Sequence, residues 1–218
     1  MTMRYDFDLL CIGSGPAGQR ASVQAAKLGK RAAMVERGRV IGGVCVDTGT
    51  IPSKTFREAV LSLNARAIPD SSQVRPGSVG RPTAQELLAR VEEVGQRQGD
   101  MIADQLRRND VAVFRGEASF KDAHTVVVRS DEKSTVITAA NILIAVGTTP
   151  APPPGVSTEP GLVVTSDELL QLTSLPRRLA VVGAGVIGIE YASMFAALGI
   201  DVTVIDKRDR PLEFLDRE

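Results

Sequence analysis

Leu9-Leu10-Cys11-Ile12-Gly13-Ser14-Gly15-Pro16-Ala17-Gly18 decides the fold, because its pattern returns as Leu179-Ala180-Val181-Val182-Gly183-Ala184-Gly185-Val186-Ile187-Gly188. In each copy an apolar run enters three glycines spaced G-x-G-x-x-G. A helix-forming stretch then leads to Leu28-Gly29 or Leu198-Gly199, and a second apolar run ends on an acid. The interval from first glycine to acid is 23 residues in both copies, from Gly13 to Glu36 and from Gly183 to Asp206. One such glycine motif is weak evidence. Two of them, each after an apolar run and with an acid at the same offset, are strong evidence of an internal repeat.

Each copy reads as strand, tight turn, helix, strand. Residues 7–12 are apolar apart from Asp8, as a buried parallel strand should be. Residues 17–28 form an alanine-rich helix that Gly29 ends in a left-handed cap, and residues 31–35 form the next strand, ending on Glu36. The second copy gives a strand at 179–182, a helix at 186–198 and a strand at 202–205. In this context the first glycine makes the turn, the second admits a pyrophosphate and the third lets helix and strand pack closely. The helix N-terminus offers free N–H groups and a partial positive charge to the phosphates. The acid accepts hydrogen bonds from a ribose diol. Gly13, Gly15, Gly18 and Glu36 are therefore assigned to one dinucleotide, and Gly183, Gly185, Gly188 and Asp206 to another. Two such sites suit electron passage between a resident flavin and an exchanging nicotinamide. The pattern alone does not say which site holds which.

Between the copies, residues 53–67 read as a helix entered through Ile51-Pro52. Residues 68–82, with three prolines and two glycines, read as a surface loop. Residues 83–108 carry Leu87, Leu88, Val91, Val94, Met101, Ile102 and Leu106 at roughly helical spacing. Strands are then expected at 111–114, 118–120, 125–129, 135–138 and 141–145. Residues 149–155 hold four prolines and form the linker, which divides the chain into domains 1–150 and 151–218.

Composition removes several function classes. Lys plus Arg and Asp plus Glu are 26 each, so there is no cationic surplus for nucleic acid or anionic lipid. Hydrophobic residues at 43% rule out disorder as a global description. No apolar stretch is long enough to span a bilayer, and residues 1–7, carrying Arg4 and Asp6, do not read as a signal peptide. The cytoplasm is the expected compartment. Cys11, Cys45 and His124 are too few for a structural zinc site, so no metal is expected. His124 is expected to be a solvated turn residue.

The stretch Gly42-Gly43-Val44-Cys45-Val46-Asp47-Thr48-Gly49-Thr50-Ile51-Pro52-Ser53-Lys54 resembles the active-site helix of the flavoprotein disulfide reductase family, the class I pyridine nucleotide-disulfide oxidoreductases. Ala145-Val146-Gly147-Thr148-Thr149-Pro150 is similar to that family's flavin-contacting turn. The resemblance implies an α/β fold: a doubly wound, Rossmann-like FAD-binding domain with inserted helices and a small β-sheet, then the start of a second, NAD(P)-binding Rossmann-like unit. It implies that FAD is held by Gly13, Ser14, Gly15, Pro16, Ala17, Gly18, Glu36, Arg37, Gly42, Gly43, Val44, Cys45, Lys54, Gly116, Ala118, Ala145 and Gly147. It gives the nicotinamide coenzyme to Gly183, Gly185, Val186, Ile187, Gly188, Glu190 and Asp206.

One position departs from the redox pattern. The reductases carry two cysteines with four residues between them, but here Cys45 is followed by Thr50. A hydroxyl cannot form the disulfide, so reduction of a disulfide substrate is not expected, and Cys45 is expected to be a packed small residue. The Cys-to-Thr pattern, with Arg208-Asp209-Arg210-Pro211-Leu212-Glu213-Phe214-Leu215-Asp216, resembles the transhydrogenase branch of that family. The implied activity is FAD-dependent hydride transfer between NADPH and NAD+, with NADH and NADPH as substrates. Lys54 then matches the family lysine beside flavin N5. Glu190 matches an acid on the nicotinamide side, placed to pair with Lys54. Asp206 favours NAD, whereas Arg37, Lys207 and Arg208 leave room for a 2′-phosphate. Members of the family are longer and homo-oligomeric, so a second expectation is a nucleotide-binding fragment without turnover. A third is a related NAD(P)H dehydrogenase or oxidase.

Overall fold

A computed structural model describes residues 5–67, 83–131, 133–151, 155–156, 162–212 and 214–216. In chain order they form β1 (Phe7–Ile12), α1 (Pro16–Lys27), β2 (Ala32–Glu36), the single turn α2 (Val44–Asp47), α3 (Thr50–Ala67) and α4 (Ala84–Arg108). There follow β3 (Ala112–Arg115), β4 (Glu117–Asp122), β5 (Thr125–Arg129), β6 (Ser134–Ile144) and a 3-10 turn (Glu168–Gln171). The described residues end with β7 (Arg178–Val182), α5 (Val186–Ala197), β8 (Asp201–Ile205) and the segment after it. They group into two units, Met1–Ile51 with Val94–Thr149 and Pro52–Glu93 with Pro150–Glu218. The loop expected at 68–82 lies outside the described residues, as do 152–154 of the expected linker. No described helix is long and apolar enough to cross a membrane.

The first unit is built on one six-stranded sheet in the order β3-β2-β1-β6-β5-β4. β3, β2, β1 and the second half of β6 run parallel, with Leu9 opposite Ala32 on one side and Asn141 on the other. Helix α1 makes the crossover between β1 and β2, as a parallel pair requires. β4, β5 and the first half of β6 form an antiparallel meander, with Thr125 opposite Thr138.

Two strands were expected at 135–138 and 141–145, but one strand of 11 residues runs from Ser134 to Ile144. Ala139 and Ala140 carry no turn chemistry; the pause in the pattern marks a change of partner, from β5 to β1. Asp6 clasps this crossing. Its carboxylate accepts from the Thr138 N–H at 2.8 Å and from the Thr138 hydroxyl at 2.7 Å. His124 is not the solvated residue expected, because it packs against the same place. It is half-buried, its Nδ1 lies 3.0 Å from the Ala139 carbonyl oxygen, and its ring lies 4.8 Å from that of Tyr5.

Alternation along the strands splits the core of this unit in two. Leu10, Ala33, Val35, Val126, Val128 and Ile137 form one cluster. Ala32 and Met34 form the other with Val23 of α1, Leu106 of α4, Ile41 and Val111. Cys11 is fully buried in β1, and burial pushes its thiol up, which leaves no reactive thiolate there.

In the second unit β7 and β8 pair in parallel, Arg178 opposite Asp201, with α5 as the crossover. Phe56 and Val60 of α3 and Leu87 and Val91 of α4 bury against Tyr191, Met194 and Phe195 of α5. Helix α3 starts at Thr50, so Ile51 and Pro52 lie inside its first turn rather than before it. Proline is tolerated there because first-turn N–H groups have no intrahelical partner. Helix α4 opens with a reciprocal cap: Thr83 Oγ1 accepts from the Glu86 N–H at 3.2 Å, and the Glu86 carboxylate accepts from the Thr83 N–H at 2.8 Å. Met101, expected on the apolar stripe of α4, is 62% exposed. Neighbouring residues on a helix point about 100° apart, and Ile102 takes the inward direction.

Candidate functional site

The first glycine turn sits where β1 ends. Gly13 has φ +108°, and a Cβ on it would lie 2.2 Å from the Ala145 carbonyl oxygen, so the end of β6 leaves room only for glycine. A Cβ on Gly18 would lie 2.0 Å from the Gly13 carbonyl oxygen, which is how closely α1 packs on the turn. At Gly15 a Cβ would meet nothing within 4 Å. The turn is therefore closed at its two outer glycines and open at the middle one, as approach of a pyrophosphate requires. Helix α1 has Pro16 at its start and no acid in its first turn, so its positive end is not offset.

Ser14 and Glu36 stitch this turn to the next two segments. Glu36 Oε2 accepts from the Ser14 N–H at 2.9 Å and from the Ser14 hydroxyl at 2.5 Å, while Oε1 accepts from the Gly38 N–H at 2.5 Å. The Ser14 oxygen in turn accepts from the Gly42 N–H at 2.8 Å. Both side chains are buried. Burial alone pushes the Glu36 carboxyl up, but the Ser14 hydroxyl, the Gly38 and Ser14 N–H groups and Arg115 outweigh it. The group lies below its ordinary value and keeps its charge. Gly43, at φ +65°, brings its backbone against Gly15: a Cβ there would lie 2.8 Å from the Gly15 Cα.

Of the other residues assigned to the first dinucleotide, Gly116 joins this group through its N–H, which donates to the Glu36 carbonyl at 3.0 Å. Ala145 joins it through its N–H to the Ile12 carbonyl at 2.8 Å. Gly147 follows at φ +70° with open space around it. Pro16, Ala17, Arg37 and Val44 are exposed and Cys45 is partly so. Ala118 sits on β4 opposite Val128 and packs against the sheet core.

The second turn repeats the backbone geometry, but a Cβ on its first glycine, Gly183, would meet nothing within 4 Å. Gly183 has φ +110°, Gly185 is open, and a Cβ on Gly188 would lie 2.0 Å from the Gly183 carbonyl oxygen. Val186 and Ile187 form an exposed, uncharged first turn of α5. Asp206 Oδ2 accepts from the Ala184 N–H at 2.5 Å, matching the bond from Ser14 to Glu36. Here the likeness ends. Arg208 Nε donates to Asp206 Oδ1 at 2.8 Å and Nη2 to Oδ2 at 2.6 Å, a two-pronged ion pair. Arg208 first, then the Ala184 and Arg208 N–H groups, hold the Asp206 carboxyl well below the usual carboxylate range.

Lys54, in the first turn of α3, makes an ion pair with Glu190 of α5. The Lys54 side chain is 59% exposed and that of Glu190 21%. Beside Glu190, the buried Tyr191 hydroxyl has no hydrogen-bond partner among the described residues. Burial, then Glu190 and Asp167, push its phenol up to about 12, so it stays protonated. Sequence reasoning missed Gln19, whose Nε2 donates to the Ser14 carbonyl at 2.6 Å, and the Leu212 N–H, which donates to the Ala184 carbonyl at 3.2 Å. No spacing rule marks either residue.

The profile of the family described as pyridine nucleotide-disulphide oxidoreductase matches residues 7–218. The chain is 51% identical to the soluble pyridine nucleotide transhydrogenase of Mycobacterium bovis (strain BCG / Pasteur 1173P2), over 98% of this chain and 46% of that protein. It is 40% identical to the protein of the same name from Pectobacterium atrosepticum, over 99% of this chain and 46% of that one. The chain thus spans about half the length of the curated relatives it matches. The solved structure of the HOCl-induced flavoprotein disulfide reductase RclA from Escherichia coli matches with a TM-score of 0.81 at 30% identity, covering 96% of this chain and 44% of that one. Repeat, turn geometry and profile agree: the chain belongs to the pyridine nucleotide-disulphide oxidoreductase family.

Proposed function

We propose that this chain supplies the flavin cradle and the opening of the nicotinamide cradle of an enzyme that passes hydride between NADPH and NAD+ through FAD. The observation that carries the reading is the coincidence of two glycine turns of one geometry with Thr50 in place of a second thiol. Residues 1–150 are the FAD-binding domain in this reading, and 151–218 begin the NAD(P)-binding domain. The names of the relatives in Mycobacterium and Pectobacterium support it.

The residues present fit a bound dinucleotide. Gly15 leaves its face open, α1 points its positive end there, and Glu36 keeps a buried negative charge for a ribose. Gly183, Gly185 and Gly188 do the same for the coenzyme. FAD, when bound, supplies a carrier of two electrons between the two nicotinamides. Lys54, which pairs with Glu190, keeps in this reading the cationic role that its match to the family lysine implies. No dithiol takes part; holding the reactants in place is the protein's contribution.

Protein loaded with FAD is mixed with NADPH and thio-NAD+ in air, following thio-NADH by absorbance and oxygen with an electrode. The reading expects thio-NADH to form at the rate NADPH disappears, with little oxygen consumed. Oxygen uptake equal to NADPH oxidation, with thio-NAD+ unreduced, establishes an oxidase instead.

A further inference from the structure

The two copies of the repeat differ in how the middle of the glycine turn is held. In the first, Gln19 Nε2 donates to the Ser14 carbonyl at 2.6 Å while the Gln19 backbone N–H donates to the Gly15 carbonyl at 3.0 Å. One residue of α1 thus grips the carbonyls on both sides of the Gly15 N–Cα–C unit. A trans peptide sets its C=O and N–H on opposite edges. Fixing the Ser14 carbonyl towards Gln19 therefore turns the Gly15 N–H away from it. Among the described residues no group accepts from that N–H.

The second copy has Ile189 where the first has Gln19, and Ile189 makes only the backbone bond, to the Gly185 carbonyl at 3.0 Å. The carbonyl equivalent to that of Ser14 belongs to Ala184. It is held from elsewhere, by the Leu212 N–H beyond β8 at 3.2 Å. Leu212 has φ +50°, a region non-glycine residues seldom occupy. The first turn is gripped by its own helix and the second by a following loop.

We infer that Gln19 is a positioning residue that aims the Gly15 amide at the pyrophosphate of a resident cofactor, and that its replacement by Ile189 leaves the second turn suited to a coenzyme that comes and goes. The inference rests on the reading of the first turn as the flavin site. A donor fixed before the anion arrives does not have to be ordered on binding, and the saving appears as slower release. A turn held by a loop keeps its donors aimed only while that loop is in place.

The test is the rate of FAD release after dilution, read from recovery of flavin fluorescence. Gln19→Met keeps the length and helix propensity of the side chain but donates nothing. Gln19→Glu places an acceptor against the Ser14 carbonyl. Release is expected to be roughly tenfold faster in Gln19→Met, and faster again in Gln19→Glu, the size of one lost hydrogen bond. The flavin-free melting temperature and the affinity of the second turn for ADP-ribose stay as in the wild type. Equal release rates in wild type and Gln19→Met overturn the inference. So does a fall in flavin-free melting temperature that accounts for the loss of flavin, because that marks a packing residue. A wild type that takes up no FAD overturns the flavin reading itself.

Discussion

Asp206 and Arg208 behave as one group, and on the proposed reading of the second turn that changes what it asks of a coenzyme. A lone acid at the end of the second strand accepts from a ribose diol and repels a 2′-phosphate. Here both carboxylate oxygens accept from the Arg208 fork, so the local charge is cancelled. Glu36, at the matching place in the first copy, is satisfied by neutral donors, Ser14 and the Gly38 N–H, and keeps its charge. A guanidinium already at the ribose end can transfer from carboxylate to phosphate, whose geometry it matches equally well. Arg208→Gln is therefore expected to weaken 2′-phospho-ADP-ribose by about tenfold. Plain ADP-ribose binds that variant as before or more tightly. Calorimetric titration with both ligands measures this, and parallel losses would show that Arg208 only holds the loop together.

At the scale of elements, the two glycine turns separate fold from binding. Gly18→Ala puts a methyl 2.0 Å from a backbone oxygen, so α1 must move off β1. Overpacking of this kind costs about 2 kcal/mol, or roughly 4–8 °C of melting temperature for a chain this long. At Gly15 a Cβ meets nothing within 4 Å, so in Gly15→Val the flavin-free melting temperature should fall far less than in Gly18→Ala while flavin retention is lost. A Gly15→Val protein that stays yellow through gel filtration removes Gly15 from the cradle.

The same contrast explains what was legible beforehand. Glycine and acid positions could be read because they answer to local backbone geometry, which repeats wherever the turn repeats. The partner change in β6 could not, because Ala139 and Ala140 suit a turn no better than a strand and pairing is decided by residues far along the chain. Nor did composition mark the grouping of Pro52–Glu93 with Pro150–Glu218, since α3 and α4 run unbroken through both boundaries. Gln19 and Leu212 were missed for a related reason, as was the pairing of Arg208 with Asp206. Their contacts depend on where a side chain or a later loop turns, and neither has a period.

For the molecule as a whole, the absence of a second thiol at position 50 is a statement about electron flow. If hydride moves only between rings, Thr50→Cys should leave transhydrogenation largely intact although it restores the cysteine spacing of the reductases. A loss beyond roughly a hundredfold, about 2.7 kcal/mol on the barrier, would show that this turn does more than support the site. A different consequence follows from β6, which among the described residues is the strand shared by the meander and the parallel sheet. Asn141 Nδ2 donates to the Asp8 carbonyl, and the two residues lie 133 positions apart in sequence. Bringing such distant segments together costs loop-closure entropy that grows only with the logarithm of the length. The meander, by contrast, closes through short turns and forms on local contacts. Because β6 belongs to both, its first half lies on β5 while its second half, Asn141–Ile144, lies on β1. Pairing of β6 with β1 thus joins the two kinds of sheet, and Ala145, the residue after that strand, completes the wall of the first glycine turn.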